Sequence, residues 1–532
     1  MTQLNNKIME NNKETPLVFT RKTSGLVKGL SWKDIFILVV SAPAGSGILY
    51  YSVSTASSYP GGNVGISFLI GMAIFLPVIF LAALGSYMIP RSSSLYVLVS
   101  RSVNPALGFL SSALFFMGYT LSVGLVAFVV TRLLGGIIAN FGIIISSAFF
   151  KNAGELLQLP IWSTVGGCLL VILTWLIVLR GVTLFRNLMR ILFYITTFAI
   201  IITIIIFALT EPSTTSISFD NIWGDGKFEQ IITLATQNGW TRSSFSWEST
   251  FGLLLVVMFS YGGLELVSYA SGETTRKQKK NVRAYVFAGL VLGLLYSSIC
   301  FSVNHAYGDF IEAYDYVFNN CKKALSEIMI PIAPSIPFYI SSLVSNPWIG
   351  LILSICISLW LITTMIPYFF APSRIIFALA MDKVLPESFA DVSVKTGAPT
   401  KASHITLFLG ILGVLFTLFD FGIVLGTILF CALFVYWLYG LGAINIPYNH
   451  PEIYEQCPIK KTFFKIPVIA WVGGLVFAIG WFVIIVSVKE MTIDVIVALC
   501  VLMGLLLLYF FNSQRKLKKT ESKEIFSQLP PE

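Results

Sequence analysis

Long apolar runs separated by short, mostly basic stretches dominate the 532-residue chain. A membrane-spanning helix needs about 20 mostly apolar residues, and about twelve runs meet that requirement. They fall at roughly 33–58, 64–88, 105–138, 161–180, 187–209, 250–271, 284–306, 347–380, 402–419, 422–446, 467–488 and 491–511. The third and eighth exceed the hydrocarbon thickness, so they tilt or project. The polar stretches alternate in charge. With the N-terminus inside, the basic clusters (Lys7 to Lys33, Arg91 and Arg101, Arg180 to Arg190, Arg276 to Arg283, Arg374 to Lys401, Lys460 to Lys465, Arg515 to Lys523) all fall on that side. The opposite side keeps Lys151, Lys227, Arg242, Lys322, Lys323 and Lys489, with Arg132 near the outer end of the third run. Such asymmetry places both termini in the cytoplasm. The two longer outside loops, about 210–249 and 307–346, leave room for short interfacial helices. The first 30 residues and the tail after about 512 read as flexible.

Composition sharpens this picture. Hydrophobic residues make up 56% of the chain and charged ones 11%, against about 25% charged in soluble domains. Mean hydropathy is +0.82, so lipid is the solvent for most of the surface, and disorder is excluded. The net charge of +9 belongs to the topology signal and not to nucleic-acid binding. Seven cysteines without a CxxC pair suggest neither a disulfide framework nor a zinc site. Three scattered histidines offer no metal site, and no Walker motif supports ATP drive.

Two runs are interrupted at corresponding places. The first contains Ser41-Ala42-Pro43-Ala44-Gly45-Ser46-Gly47, the sixth Ser260-Tyr261-Gly262-Gly263. Proline removes a ladder donor and glycine lowers helix propensity. Small residues at a close helix crossing would explain either stretch alone. Together they open the two halves of a five-plus-five repeat, and paired breaks of this kind point to a transporter's midplane site. N–H groups freed after Gly45 would favour a carboxylate, and carbonyls freed near Ser260 an ammonium. That socket suits an α-amino acid. Glu265, two residues past Gly263, sits at a depth where charge is costly and usually functional.

These residues carry a family resemblance. Ala44-Gly45-Ser46-Gly47-Ile48, Phe259-Ser260-Tyr261-Gly262-Gly263-Leu264-Glu265 with Gly272-Glu273, and Ser373-Arg374 through Met381-Asp382 with Leu385-Pro386 stand in the order seen in the amino acid–polyamine–organocation superfamily. The likeness spans about residues 30–445. It implies a leucine-transporter-like inverted repeat: a core at 31–446 with repeats at about 31–210 and 250–446, two accessory helices at 447–511, and cytoplasmic segments at 1–30 and 512–532. By resemblance, the N–H groups of Ser46 and Gly47 take a substrate carboxylate, and carbonyls of Pro43, Phe259 and Gly262 the amino group. Phe259 falls where the similar arginine–agmatine antiporter has a gating aromatic, and Tyr368 about where a second lies. Thr363-Thr364 resembles a sodium-binding hydroxyl pair of some relatives. Thr196 stands where some proton-coupled members carry lysine, so H⁺ and Na⁺ both remain open as coupling ion.

The expectation is therefore an all-α polytopic protein of the plasma membrane, monomeric or homodimeric. It acts as a secondary carrier of amino acids or related amines, without cofactor, nucleic-acid partner or catalysis. Tyr119, Ser122, Tyr261 and Tyr368 complete the candidate pocket. A membrane-embedded enzyme, such as a lipid-linked transferase, would need acids or histidines clustered at one face. A channel would need a continuous polar helix face. Neither pattern is present in the sequence.

Overall fold

The computed structural model describes residues 24–275, 279–328, 332–419, 421–489, 491–517 and 519–531. Described residues are overwhelmingly helical, with one two-residue hairpin, Thr462–Phe463 against Ile466–Pro467. The elements follow the apolar runs: α1 (Trp32–Ser46), α2 (Val64–Met88), α3 (Pro105–Ile144), α4 (Pro160–Leu179), α5 (Val182–Leu209), α6a (Leu254–Ser260) and α6b (Leu266–Tyr269), α7 (Lys279–Tyr307), α8 (Pro347–Met381), α9 (Thr400–Phe416), α10 (Gly426–Asn449), α11 (Val468–Lys489) and α12 (Ile493–Arg515). Nine of them, among the described residues, are long and apolar enough to cross a membrane. The other three are α1, α6 and α9. α9 has 17 residues, while α1 and α6 are the two expected to be interrupted. The chain is an all-α polytopic membrane protein.

Burial separates core from lipid face. α3 is buried along most of its 40 residues and packs against α8, α9 and α4. α4, α5 and α12 instead present Leu169, Leu173, Phe198, Ile205, Val501 and Leu505 outward. These apolar side chains face hydrocarbon in a bilayer, where they cost nothing. Short helices do fill the longer loops: Pro212–Trp223 and Lys227–Gln237, then Phe310–Asn320, Lys322–Ile328 and Ile336–Ser341.

One end of the bundle is closed by paired charges. Asp34 takes a two-pronged contact from Arg190 at 2.6 and 2.9 Å and caps Ser31. Arg374 Nε meets Glu273 at 2.7 Å, both buried, with the guanidinium 3.6 Å from the centre of the Phe370 ring. Arg101 grips Asp382 bidentately while Tyr96 donates to the same carboxylate at 2.6 Å. The third sequence motif therefore supplies one partner to each of two buried pairs. A buried charge left alone would cost several kcal/mol, so both partners must be present together.

The expectation of a flexible tail needs correction. The tail forms a helix, Lys519–Ser527, that lies on this closed end. Arg101 Nε donates to the Gln528 carbonyl at 3.1 Å, Arg91 Nε to Pro530 at 2.5 Å, and Lys383 pairs with Glu521 at 2.6 Å. Ile525 is fully buried beside them. A short polar helix is held by these carbonyl and carboxylate contacts, which a hydropathy reading does not weigh. Near the N-terminus, the amides of Gly29 and Leu30 donate to the Glu273 carbonyl. Residues 1–23 lie outside the described residues.

Candidate substrate site

The interruptions in α1 and α6 differ. α6 does lose its helix: between Ser260 and Leu266 the chain turns, with Gly263 at φ +107°, a conformation L side chains rarely adopt. α1 does not unwind, which corrects the expected break. It runs helically through Pro43 to Ser46 and continues as a π-helical turn, Gly47–Tyr51. A side chain from α8 explains how. Gly45 N–H donates to Thr364 Oγ1 at 3.1 Å, and that hydroxyl lies 3.2 Å from the Ser41 carbonyl. The threonine is spliced into the ladder where the Gly45-to-Ser41 bond would be. Gly47 N–H bonds the Ala44 carbonyl. The Gly47 amide, one of the two expected to be free, is thus engaged. The side chains of Ser46 and Phe259 lie outside the described residues, so the gating role expected of Phe259 lies there too.

The space expected between the two breaks holds Tyr296 of α7. Its hydroxyl reaches the Pro43 carbonyl at 2.9 Å and the Ser260 carbonyl at 2.7 Å, sharing one proton between the two helices. Its ring stacks on Phe68 at 4.5 Å. A Cβ on Gly47 would meet that ring at 2.4 Å, so glycine is what lets the tyrosine seat. The reading of α7 as a plain apolar span gave Tyr296 no role. A single tyrosine at mid-span was its only signal.

Glu265 is fully buried and clamped. Tyr119 of α3 donates to Oε1 at 2.8 Å, and Tyr436 of α10 to Oε2 at 3.0 Å. Tyr368 of α8 stands edge-on to Tyr119 at 4.8 Å and donates to the Gly262 carbonyl at 3.1 Å. Three helices thus meet at the unwound turn of α6. Tyr261 faces elsewhere, donating to the Phe68 carbonyl at 2.7 Å.

A cavity of about 620 Å³ ends at this cluster. Tyr119, Ser122, Gly262, Thr364 and Tyr368 line its deep part, with Tyr50 and Tyr51 of the π-turn above them. It extends along α3 past Arg132 and Asn140, away from the charge-paired end, to Gln158 and Lys322. Pro43, Gly45, Gly47, Thr363 and Glu265 sit behind the wall. Thr363 donates to the carbonyl of Trp360 on its own helix at 2.7 Å. Ser41 Oγ, Ser260 Oγ and Trp360 Nε1, at the α1–α6–α8 junction, are buried without a hydrogen-bond partner among the described residues.

The architecture is that of a multi-pass membrane protein, with a tyrosine-lined cavity that ends at an unwound helix. The family comparison agrees. A model described as amino acid permease matches residues 30–506, and the chain belongs to that family, within the amino acid–polyamine–organocation superfamily. It is a membrane transporter of amino acid type. Among curated proteins, none matches the chain.

Proposed function

We propose that the protein is a secondary carrier that moves amino acids or closely related amines across the plasma membrane by alternating access, with both termini cytoplasmic. The observation that carries this reading is the cavity that stops at the Gly262–Gly263 turn. Its volume suits a small organic solute. At its floor, polar backbone from α6, the Thr364 hydroxyl and the Tyr119 and Tyr368 phenols converge, while Glu265 lies one side chain behind. An ammonium would be drawn to the Gly262 carbonyl, and a carboxylate to the Tyr368 hydroxyl released from it.

Coupling is read as sodium-independent, by exchange or by protons with Glu265 as the titrating group. Thr364 already spends its oxygen on the Gly45 amide. The test is solute counterflow in proteoliposomes, first against the common amino acids, then with Na⁺ replaced by K⁺ at fixed pH. Counterflow by any amino acid separates a carrier from a channel or an enzyme. Flux that collapses without Na⁺, and again in Thr364→Ala, would overturn the sodium-independent reading. If flux persists, Glu265→Gln should flatten its profile between pH 5 and 8. A profile unchanged from the parent leaves obligate exchange.

A further inference from the structure

The upper cavity has a charge imbalance that the amino acid reading does not use. Among the described residues, Arg132 and Lys322 are the charged residues lining it, and no Asp or Glu does so. Arg132 is exposed while its neighbours Thr131 and Leu133 are buried, so its side chain faces the cavity and not the bundle. It makes no ion pair or hydrogen bond among the described residues, in contrast to Arg101, Arg190 and Arg374 at the other end. Lys322 lies over the Phe318 ring at 4.9 Å and likewise has no ion-pair partner among the described residues. The other polar residues along the cavity are neutral, among them Asn140, Gln158 and Ser335.

An arginine left unpaired along a spanning helix is costly and is retained where it serves a ligand path. Facing lipid, it could reach for headgroups; facing the cavity, its charge is felt by whatever enters. Thirteen residues of helix separate Tyr119 from Arg132, about 20 Å at helical rise. A small substrate resting on the floor is therefore beyond the reach of Arg132. The effect is one of field: like charges in a low-dielectric cleft concentrate the counter-charged solute and raise its rate of entry.

We propose that this cavity selects amino acids of net negative charge, those bearing a second carboxylate, and that Arg132 and Lys322 set that preference as an electropositive vestibule. The proposal rests on the carrier reading above. L-Glutamate and L-glutamine are close to isosteric and differ by one charge, so they isolate it; L-lysine supplies the opposite sign. Initial counterflow rates of all three are measured at low and high ionic strength. Glutamate should show a KM about tenfold below the other two at low salt, the advantage shrinking as salt rises. Arg132→Gln combined with Lys322→Gln should raise the glutamate KM about tenfold, with the maximal rate held and glutamine unchanged. Arg132→Lys should restore it. Glutamate no better than glutamine, or a double variant that shifts both solutes alike, overturns the proposal while leaving the carrier reading standing. Counterflow by none of the common amino acids overturns both.

Discussion

α1 holds Pro43, Gly45 and Gly47 yet stays helical from Trp32 to Tyr51, whereas α6 holds Gly262 and Gly263 and lets go of its helix between Ser260 and Leu266. Both stretches are poor in helix propensity, so propensity does not decide the outcome. Neighbours do. In α1 the Thr364 hydroxyl bridges the Gly45 amide and the Ser41 carbonyl, and the chain continues as a π-helical turn. In α6 the chain reaches φ +107° at Gly263, which a helix cannot contain, and tyrosines from other helices hold what is released. A helix in lipid breaks only where its freed polar groups find donors and acceptors.

Tyr296 is the side chain that α1 and α6 share. Gly47→Leu should abolish counterflow in a protein that still purifies as a monodisperse species, because its side chain displaces Tyr296 from the Pro43 and Ser260 carbonyls; normal transport would detach Tyr296 from the site. Tyr296→Phe keeps the ring and removes the hydroxyl. Leaving the Pro43 and Ser260 carbonyls without that donor should cost about 1–3 kcal/mol in thermal or denaturant unfolding. Gly263→Ala tests α6 alone. Its unfavourable φ, together with the Tyr368 ring 3.0 Å from the new Cβ, should destabilise by about 1–2 kcal/mol and slow transport. The smallest effect belongs to α1: Thr364→Val should cost about 1 kcal/mol and Thr364→Ser almost nothing. If the interruptions are independent, Gly263→Ala and Thr364→Val add, while Tyr296→Phe is coupled to each.

Much of this was legible in the chain. Apolar runs located every long helix, because lipid leaves few alternatives to a helix of about 20 residues. The Gly262-Gly263 turn and Glu265 could be singled out, since glycine pairs and buried carboxyls are local signals, while Tyr368 came from the family resemblance. What pairs with them could not. Tyr296 and Tyr436 lie on other helices, and nothing in their own neighbourhoods says that they reach Pro43 or Glu265. α1 misled for the same reason: the residue that keeps it wound, Thr364, is 319 positions away. The docked tail escaped because its contacts are to Arg91, Arg101 and Lys383, each of which reads as an ordinary inside-facing charge.

The splice of Thr364 into α1 has a use of its own. An amide inside an ordinary helix reports whether that helix is wound. The Gly45 amide instead takes its acceptor from α8, so its protection from solvent deuterium measures the separation of two helices. Once its signal is resolved from those of the other glycines, that amide is a ruler for the α1–α8 gap, read while substrate is added and with no reporter group attached to the protein.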